Sequence, residues 1–330
     1  MSKQFFFNIS KKGIFALFIS LLFLIQLFNC SVAAFTSSNK RANEEEYLVE
    51  ITNTPIYFTS NDYNLYGNIF YPTDTSKKYP CIIFCEGFPG YVNAYSWIPK
   101  ALAEQGYVTF IYDPPGLGKS EGFVPIRGVS VQLLNLYFRF GSYTISPLHY
   151  FVGDWVQAGS DALTYMIEES PVNEMINVSS IGLIGHSFGG ITASEIAAVD
   201  DRFDAVIAMS HANPMYVNDI SIPIQFIGTD FDYGLFSIPM IQLSYSRANA
   251  PKEMIMIKLG THFGFTTAFN SLCPCPRWQK NVILHYIVPW FDYFLKNKTD
   301  SYEIITTGTD HLSKFIKSRY NFGDGDHILE

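Results

Sequence analysis

Charge is scarce in this sequence. Of its 330 residues only 16% are Asp, Glu, Lys or Arg, and the formal net charge is −8. A nucleic-acid partner requires a basic stripe to meet phosphate, and the composition carries no such excess, so no nucleic-acid function is expected. Cysteine is also sparse, at five residues. Cys81 and Cys85 fall on one expected strand, about 13 Å apart at 3.3 Å per residue, too far to bridge each other; they are read as buried thiols. Cys273-Pro274-Cys275 allows a local disulfide or pairing elsewhere. Its spacing is wrong for a zinc knuckle, and neither a metal nor a cofactor is expected. Repeats and low-complexity tracts are missing, which excludes solenoid architectures.

Long apolar runs are nearly absent outside the N-terminus. There Lys3, Lys11 and Lys12 precede a run from Ile14 to Phe28, interrupted by Ser20 and Gln26 and followed by Ser31-Val32-Ala33-Ala34. The run falls short of the roughly 20 residues that a spanning helix needs, and the order of its parts is that of a secretory signal peptide over residues 1–34. The alternative is an uncleaved N-terminal helix anchoring the protein to a membrane. Residues 35–46 form a polar leader, and residues 47–330 suffice for one large domain. Cleavage leaves no stable membrane span. Asn177-Val178-Ser179 and Asn297-Lys298-Thr299 are glycosylation sequons in such a secreted chain.

Within the domain, Ile51–Phe58 and Leu65–Tyr71 have strand composition with the turn signal Asn61-Asp62 between them, which predicts an antiparallel hairpin. Short apolar runs follow at Cys81–Cys85, Tyr107–Tyr112, Ile181–Gly185, Ala205–Met209, Ile224–Gly228 and Met254–Leu259. Stretches of helical spacing, Ala94–Gln105, Ile191–Ala198, Ile238–Ser246 and Val282–Lys296, separate or follow them. This alternation predicts a mostly parallel sheet covered on both faces, an α/β fold. Residues 122–150 break the pattern with the aromatic-rich stretch Val131–Phe140, read either as core or as a cap over a pocket.

Gly185-His186-Ser187-Phe188-Gly189 matches G-x-S-x-G between an expected strand and an expected helix, the context of a sharp turn that presents a serine hydroxyl. A serine is a weak nucleophile and needs a base held by an acid. Carboxylates stand at the end of the next-but-one strand, at Asp230 and Asp232, and His262 follows the strand Met254–Leu259. His186 adjoins the nucleophile but points elsewhere on the turn. His211 comes too early in chain order to be the base but stands where it could line the site, His149 falls in the insertion, and His285, His311 and His327 fall in helix or tail. The backbone N–H of Phe188 is one expected oxyanion donor, and that of Phe88, in Glu86-Gly87-Phe88-Pro89-Gly90, is the second. Gly118-Lys119-Ser120 ends like a phosphate-binding loop, but Asp113 stands where the first glycine is required; these residues are read as a structural turn.

The order serine, acid, histidine resembles that of the α/β-hydrolase superfamily, and the likeness runs from about Tyr47 to about Asp300. Gly185–Gly190 looks like the nucleophile elbow of platelet-activating-factor acetylhydrolases, dienelactone hydrolases and cutinases. Gly228–Asp232 and Thr261-His262-Phe263 are similar to the acid and histidine loops of cutinases and polyester hydrolases. That resemblance implies Asp232 as the acid in place of Asp230, and an α/β-hydrolase fold with a short cap-like insertion. It further implies a secreted serine esterase working through an acyl-enzyme, with Ser187, His262 and Asp232 as its triad. The insertion at 122–150 has no counterpart in the open-sited cutinases, so the expected partner is a small-molecule or lipid-like ester and not a polymer. The same machinery serves a peptidase or acyltransferase, and the fold alone allows a non-catalytic binding or adhesion protein.

Overall fold

The chain opens its sheet with a hairpin. β1 (Ile51–Ser60) and β2 (Tyr63–Pro72) pair antiparallel from Ile51↔Pro72 to Ser60↔Tyr63. Asn61 and Asp62 join them at φ 45° and 64°. A two-residue link with both φ positive matches the strands' twist, and Asn and Asp tolerate that conformation. This computed structural model describes residues 48–122, 147–232, 237–249, 251–267 and 276–317. The expected signal peptide over residues 1–34, the expected leader over 35–46, residues 123–146 of the insertion, and Cys273 and Cys275 lie outside them.

Six parallel strands follow: β3 (Tyr79–Cys85), β4 (Val108–Tyr112), β5 (Ile176–His186), β6 (Ala205–Met209), β7 (Ile224–Phe231) and β8 (Lys252–Thr261). Together with β9 (Leu312–Lys317) they complete a nine-stranded sheet of order β1-β2-β4-β3-β5-β6-β7-β8-β9. Among the described residues only β1 on β2, β2 on β4 and β8 on β9 pair antiparallel. The parallel strands are short apolar runs because both their faces are covered. Cys81, Ile83 and Cys85 enter one core, and Ile82 and Phe84 the other. The chain is an α/β-hydrolase fold.

Helices α1 (Val92–Tyr95), α2 (Trp97–Glu104), α3 (Pro147–Glu168), α4 (Phe188–Val199), α5 (Ser237–Arg247), α6 (Arg277–Lys296) and α7 (Ser301–Thr306) cover the sheet. Ala158, Leu163 and Met166 of α3, Ile196 of α4 and Ile241 of α5 fill the first core. Leu102 of α2, Ile283, Ile287 and Trp290 of α6 and Ile305 of α7 fill the second. Among the described residues no helix is long and apolar enough to cross a membrane.

Three elements differ from the sequence reading. The expected helix at Ala94–Gln105 is two pieces, the first closed by the Ser96 hydroxyl, which donates to the Val92 carbonyl at 2.7 Å. Pro99 then sits in the first turn of the second piece, where its missing N–H costs nothing. The sheet continues past Asp300 to the edge strand β9. Residues Pro147–Tyr150, counted from sequence with the insertion, begin α3.

The strand order places β3 between β4 and β5, so the connections from its carboxyl end and from that of β4 leave in opposite directions along the sheet. A crevice opens at such a switch point. The loop after β3 and those after β5, β7 and β8 share this edge.

Candidate active site

Ser187 stands between β5 and α4 at φ 57° and ψ −122°. A non-glycine residue held there costs about 1–3 kcal/mol, and such strain persists only where the surroundings over-determine it. They do so here: the Ser187 N–H donates to the Met209 carbonyl at 2.9 Å, and the Ser187 carbonyl accepts from Gly190 and Ile191 as α4 begins. A side chain at position 189 is excluded, since a Cβ on Gly189 would lie 2.1 Å from the Cys85 carbonyl oxygen and 2.5 Å from that of Glu86. The elbow is thereby packed against the end of β3.

The loop leaving β3 runs alongside. A Cβ on Gly87 would sit 3.0 Å from the Ser187 Cβ, so Gly87-Phe88 abuts the serine. The Phe88 ring is 37% exposed and meets Phe188 edge-on at 6.1 Å, and Phe188 meets Trp155 at 6.3 Å. Trp155 is fixed through its indole N–H on the Pro115 carbonyl at 3.2 Å. With Leu117 and Ile191 these rings form an apolar cluster beside the serine, separate from the two main cores.

His262 follows β8 and Asp232 follows β7, and both are buried. His262 Nδ1 lies 2.8 Å from Asp232 Oδ1. A carboxylate only accepts, so Nδ1 carries the proton and Nε2 is left as the basic nitrogen. Burial works against ionisation of Asp232, but the His262 and His211 imidazoles and the Ser210 hydroxyl outweigh it and hold its carboxyl below the ordinary range. Asp230 is engaged elsewhere: it accepts the Leu259 N–H at 3.0 Å and the Ser313 hydroxyl, tying β7 to β8 and β9.

The histidine turn is clamped from behind by Gln279 of α6. Its Oε1 accepts the Thr261 N–H at 3.2 Å and its Nε2 donates to the Thr261 carbonyl at 3.0 Å. From the other side Thr267 donates its N–H and its hydroxyl to the Ala94 carbonyl, at 2.8 and 3.0 Å. The Trp97 indole donates to the Phe265 carbonyl at 3.2 Å.

Sequence reasoning placed Ser187, Asp232, His262, Phe88 and Phe188 at this edge, and the structure brings all five to it. It left His211 open as a residue lining the site, and it missed the packing of the His186 ring. His186 is buried with its ring 4.7 Å from those of His262 and Phe265, and its Nδ1 is 2.8 Å from the Tyr95 hydroxyl. His211 stands edge-on to His262 at 6.5 Å. Burial, with those two imidazoles adding, pushes His186 well below the usual histidine range. Its place beside Ser187 in the elbow was the available signal. Cys81 and Cys85 are free and buried, and burial pushes both thiols up to about 12.

Comparison with known proteins bears on the fold. The family model described as alpha/beta hydrolase fold matches residues 80–234, from β3 through the Asp232 loop. The chain is 23% identical over 230 residues to platelet-activating factor acetylhydrolase of Cavia porcellus, a match covering 61% of this chain and 52% of that one. It is 23% identical over 237 residues to bis(hydroxyethyl) terephthalate hydrolase of Streptomyces coelicolor, covering 71% and 63%. A local stretch of 73 residues is 41% identical to dipeptidyl-peptidase 5 of Aspergillus fumigatus, covering 20% and 10%. The chain thus spans less than two thirds of the length of either of the first two relatives.

Proposed function

We propose that this chain, which belongs to the α/β-hydrolase superfamily, cleaves carboxylic esters through an acyl-enzyme on Ser187. The observation that carries the reading is the His262–Asp232 hydrogen bond of 2.8 Å at the same sheet edge as a serine in strained backbone. His262 Nε2 takes the serine proton as the hydroxyl adds to the ester carbonyl, then gives it to the departing alcohol; Asp232 orients the ring and stabilises its charged form. The oxyanion faces the N–H groups of Phe88 and Phe188. The latter opens a helix, where N–H groups have no intrahelical partner. Water then reverses the sequence and releases the acid.

The apolar ring cluster beside Ser187 favours an ester with an apolar acyl or alcohol part, and the insertion ahead of α3 is proposed to cover it. Two relatives are named as an acetylhydrolase of platelet-activating factor and a hydrolase of bis(hydroxyethyl) terephthalate, which agrees with an ester substrate. A peptidase reading is favoured by the local 41% match and is the alternative. An acyl-enzyme forms in either case, so a fluorophosphonate probe should label Ser187, and Ser187→Ala should lower kcat by up to about 10⁶. Failure of the folded protein to react would end the serine-hydrolase reading. Faster turnover of dipeptidyl anilides than of short aryl esters would select the peptidase.

We further propose that residues 1–34 direct secretion and that the mature chain carries N-glycans.

A further inference from the structure

We propose that Glu86 carries a proton and donates it to the Asp113 carboxylate, and that this buried pair fixes the Gly87-Phe88 loop against Ser187. The role rests on the serine-hydrolase reading; the proton does not.

β3 and β4 run parallel with Cys85 paired to Tyr112, so Glu86 and Asp113 are the next residues on adjacent strands and leave the sheet side by side. Each is 1% exposed. Asp113 has both oxygens occupied by backbone donors: Oδ1 accepts the Val92 N–H at 2.6 Å and Oδ2 the Lys119 N–H at 2.7 Å. Those bonds call for an ionised carboxylate. Among the described residues neither carboxyl oxygen of Glu86 meets a hydrogen-bond donor. A buried carboxylate without donors is among the costliest arrangements a protein can hold. One proton on Glu86 removes that cost, because a protonated carboxyl donates and Asp113 is the acceptor beside it.

The surroundings agree. Burial pushes Glu86 well above the usual glutamate range, and the negative Asp113 adds to the effect. Asp113 is also raised, first by burial, against its bonds to Lys119, Val92 and Glu86 and the Lys119 charge. Tyr95, Tyr112 and Cys85 also face Glu86, and a charge there would act against ionisation of each. Lys119 directs its ammonium over the Tyr66 ring at 4.3 Å.

The pair is joined to the reacting serine through the backbone. The Glu86 carbonyl packs where a Gly189 side chain would be, and a Cβ on Gly87 would lie 3.0 Å from the Ser187 Cβ. Asp113 meanwhile holds the start of α1, just beyond the loop. Removing the Glu86 donor should therefore misplace the Phe88 N–H that faces the oxyanion.

The test uses the full folded protein as wild type, E86Q and E86L. The wild-type-minus-E86Q infrared difference spectrum at neutral pH should contain a protonated-carboxyl C=O band. E86Q keeps a neutral donor and should retain most of kcat, while E86L should lose about 10- to 100-fold in kcat, with KM changed far less. Absence of the band overturns the proton. Equal losses in E86Q and E86L overturn the positioning role. If E86L fails to fold, the kinetic decision falls to E86Q, and a loss as large as tenfold in that variant overturns the role. A wild type that ignores fluorophosphonate sinks the hydrolase reading and the positioning role together, while the infrared band still reports on the proton alone.

Discussion

Asp230 and Asp232 stand two positions apart at one strand end, and their different partners give them separable consequences. Asp232 sets the His262 tautomer, so Asp232→Asn should lower kcat by about 10⁴ while leaving the fold intact. Asp230 holds the Leu259 N–H and the Ser313 hydroxyl. Asp230→Ala should cost about 1–2 kcal/mol of stability with far less effect on kcat. Denaturation and ester kinetics on both variants check the pair, and a kcat collapse in the Asp230 variant alone would exchange the roles. Glu86 has a stability signature of its own. Below the ordinary glutamate range it is protonated in both the folded and the unfolded chain. Above that range the unfolded chain releases the proton and the fold keeps it, so stability falls by about 1.4 kcal/mol per pH unit until the raised folded pKa is reached. Glutamine has no proton to lose. The Tm of E86Q minus that of the wild type should therefore grow as the pH rises above the ordinary glutamate range; a constant difference would mean that Glu86 ionises normally.

The turn that carries His262 is held on one side by a packed contact between two elements. A Cβ on Gly264 would lie 2.0 Å from the Gln279 side-chain oxygen, and the three atoms nearest to that Cβ all belong to Gln279. Gly264→Ala should accordingly push Gln279 off the Thr261 backbone and reduce both stability and turnover. In a Gln279→Ala background the same change should cost much less, because the obstacle is gone and both hydrogen bonds are already lost. A double-mutant cycle measures this, and additive costs would show that Gly264 is constrained by something else. No pattern in the sequence announced Gln279: a single buried glutamine on a helix has no periodic signature, and its partner is 18 residues away. The strands were legible because burial on both faces makes each parallel strand a short apolar run, and the hairpin because Asn61-Asp62 supplies the conformation its turn requires. β9 was not, since a six-residue edge strand near the chain end shows little alternation. Asp113 was assigned to a structural turn from its neighbours. That turn exists, but the work of its carboxylate depends on Val92 and Glu86, which only the sheet brings close.

At the scale of the whole molecule the sheet separates two edges. The carboxyl edge holds Ser187, Asp232 and His262. The sequons lie toward the opposite one: Asn177 opens β5, and Asn297 ends α6, which starts beyond the histidine turn and runs back along the sheet until Lys296 donates to the Gln105 carbonyl at 2.7 Å. The two asparagines are not equally open. Asn177 is half-buried in a strand with its amide nitrogen bonded to Ser180 Oγ at 3.0 Å, whereas Asn297 caps its helix at φ 56° and is exposed. If residues 1–34 direct export, the product from a glycosylating secretory host should begin near Phe35 and carry a glycan at Asn297 in preference to Asn177. Intact-mass analysis of the secreted protein and of Asn297→Gln measures both. Because that asparagine lies far from the reacting edge, enzymatic removal of the glycan should leave kcat/KM for a short ester unchanged. A product still beginning at Met1 would replace the soluble-secreted reading with the membrane-anchored one, and a kcat/KM that moved with the glycan would place Asn297 nearer the substrate path than the sheet topology puts it.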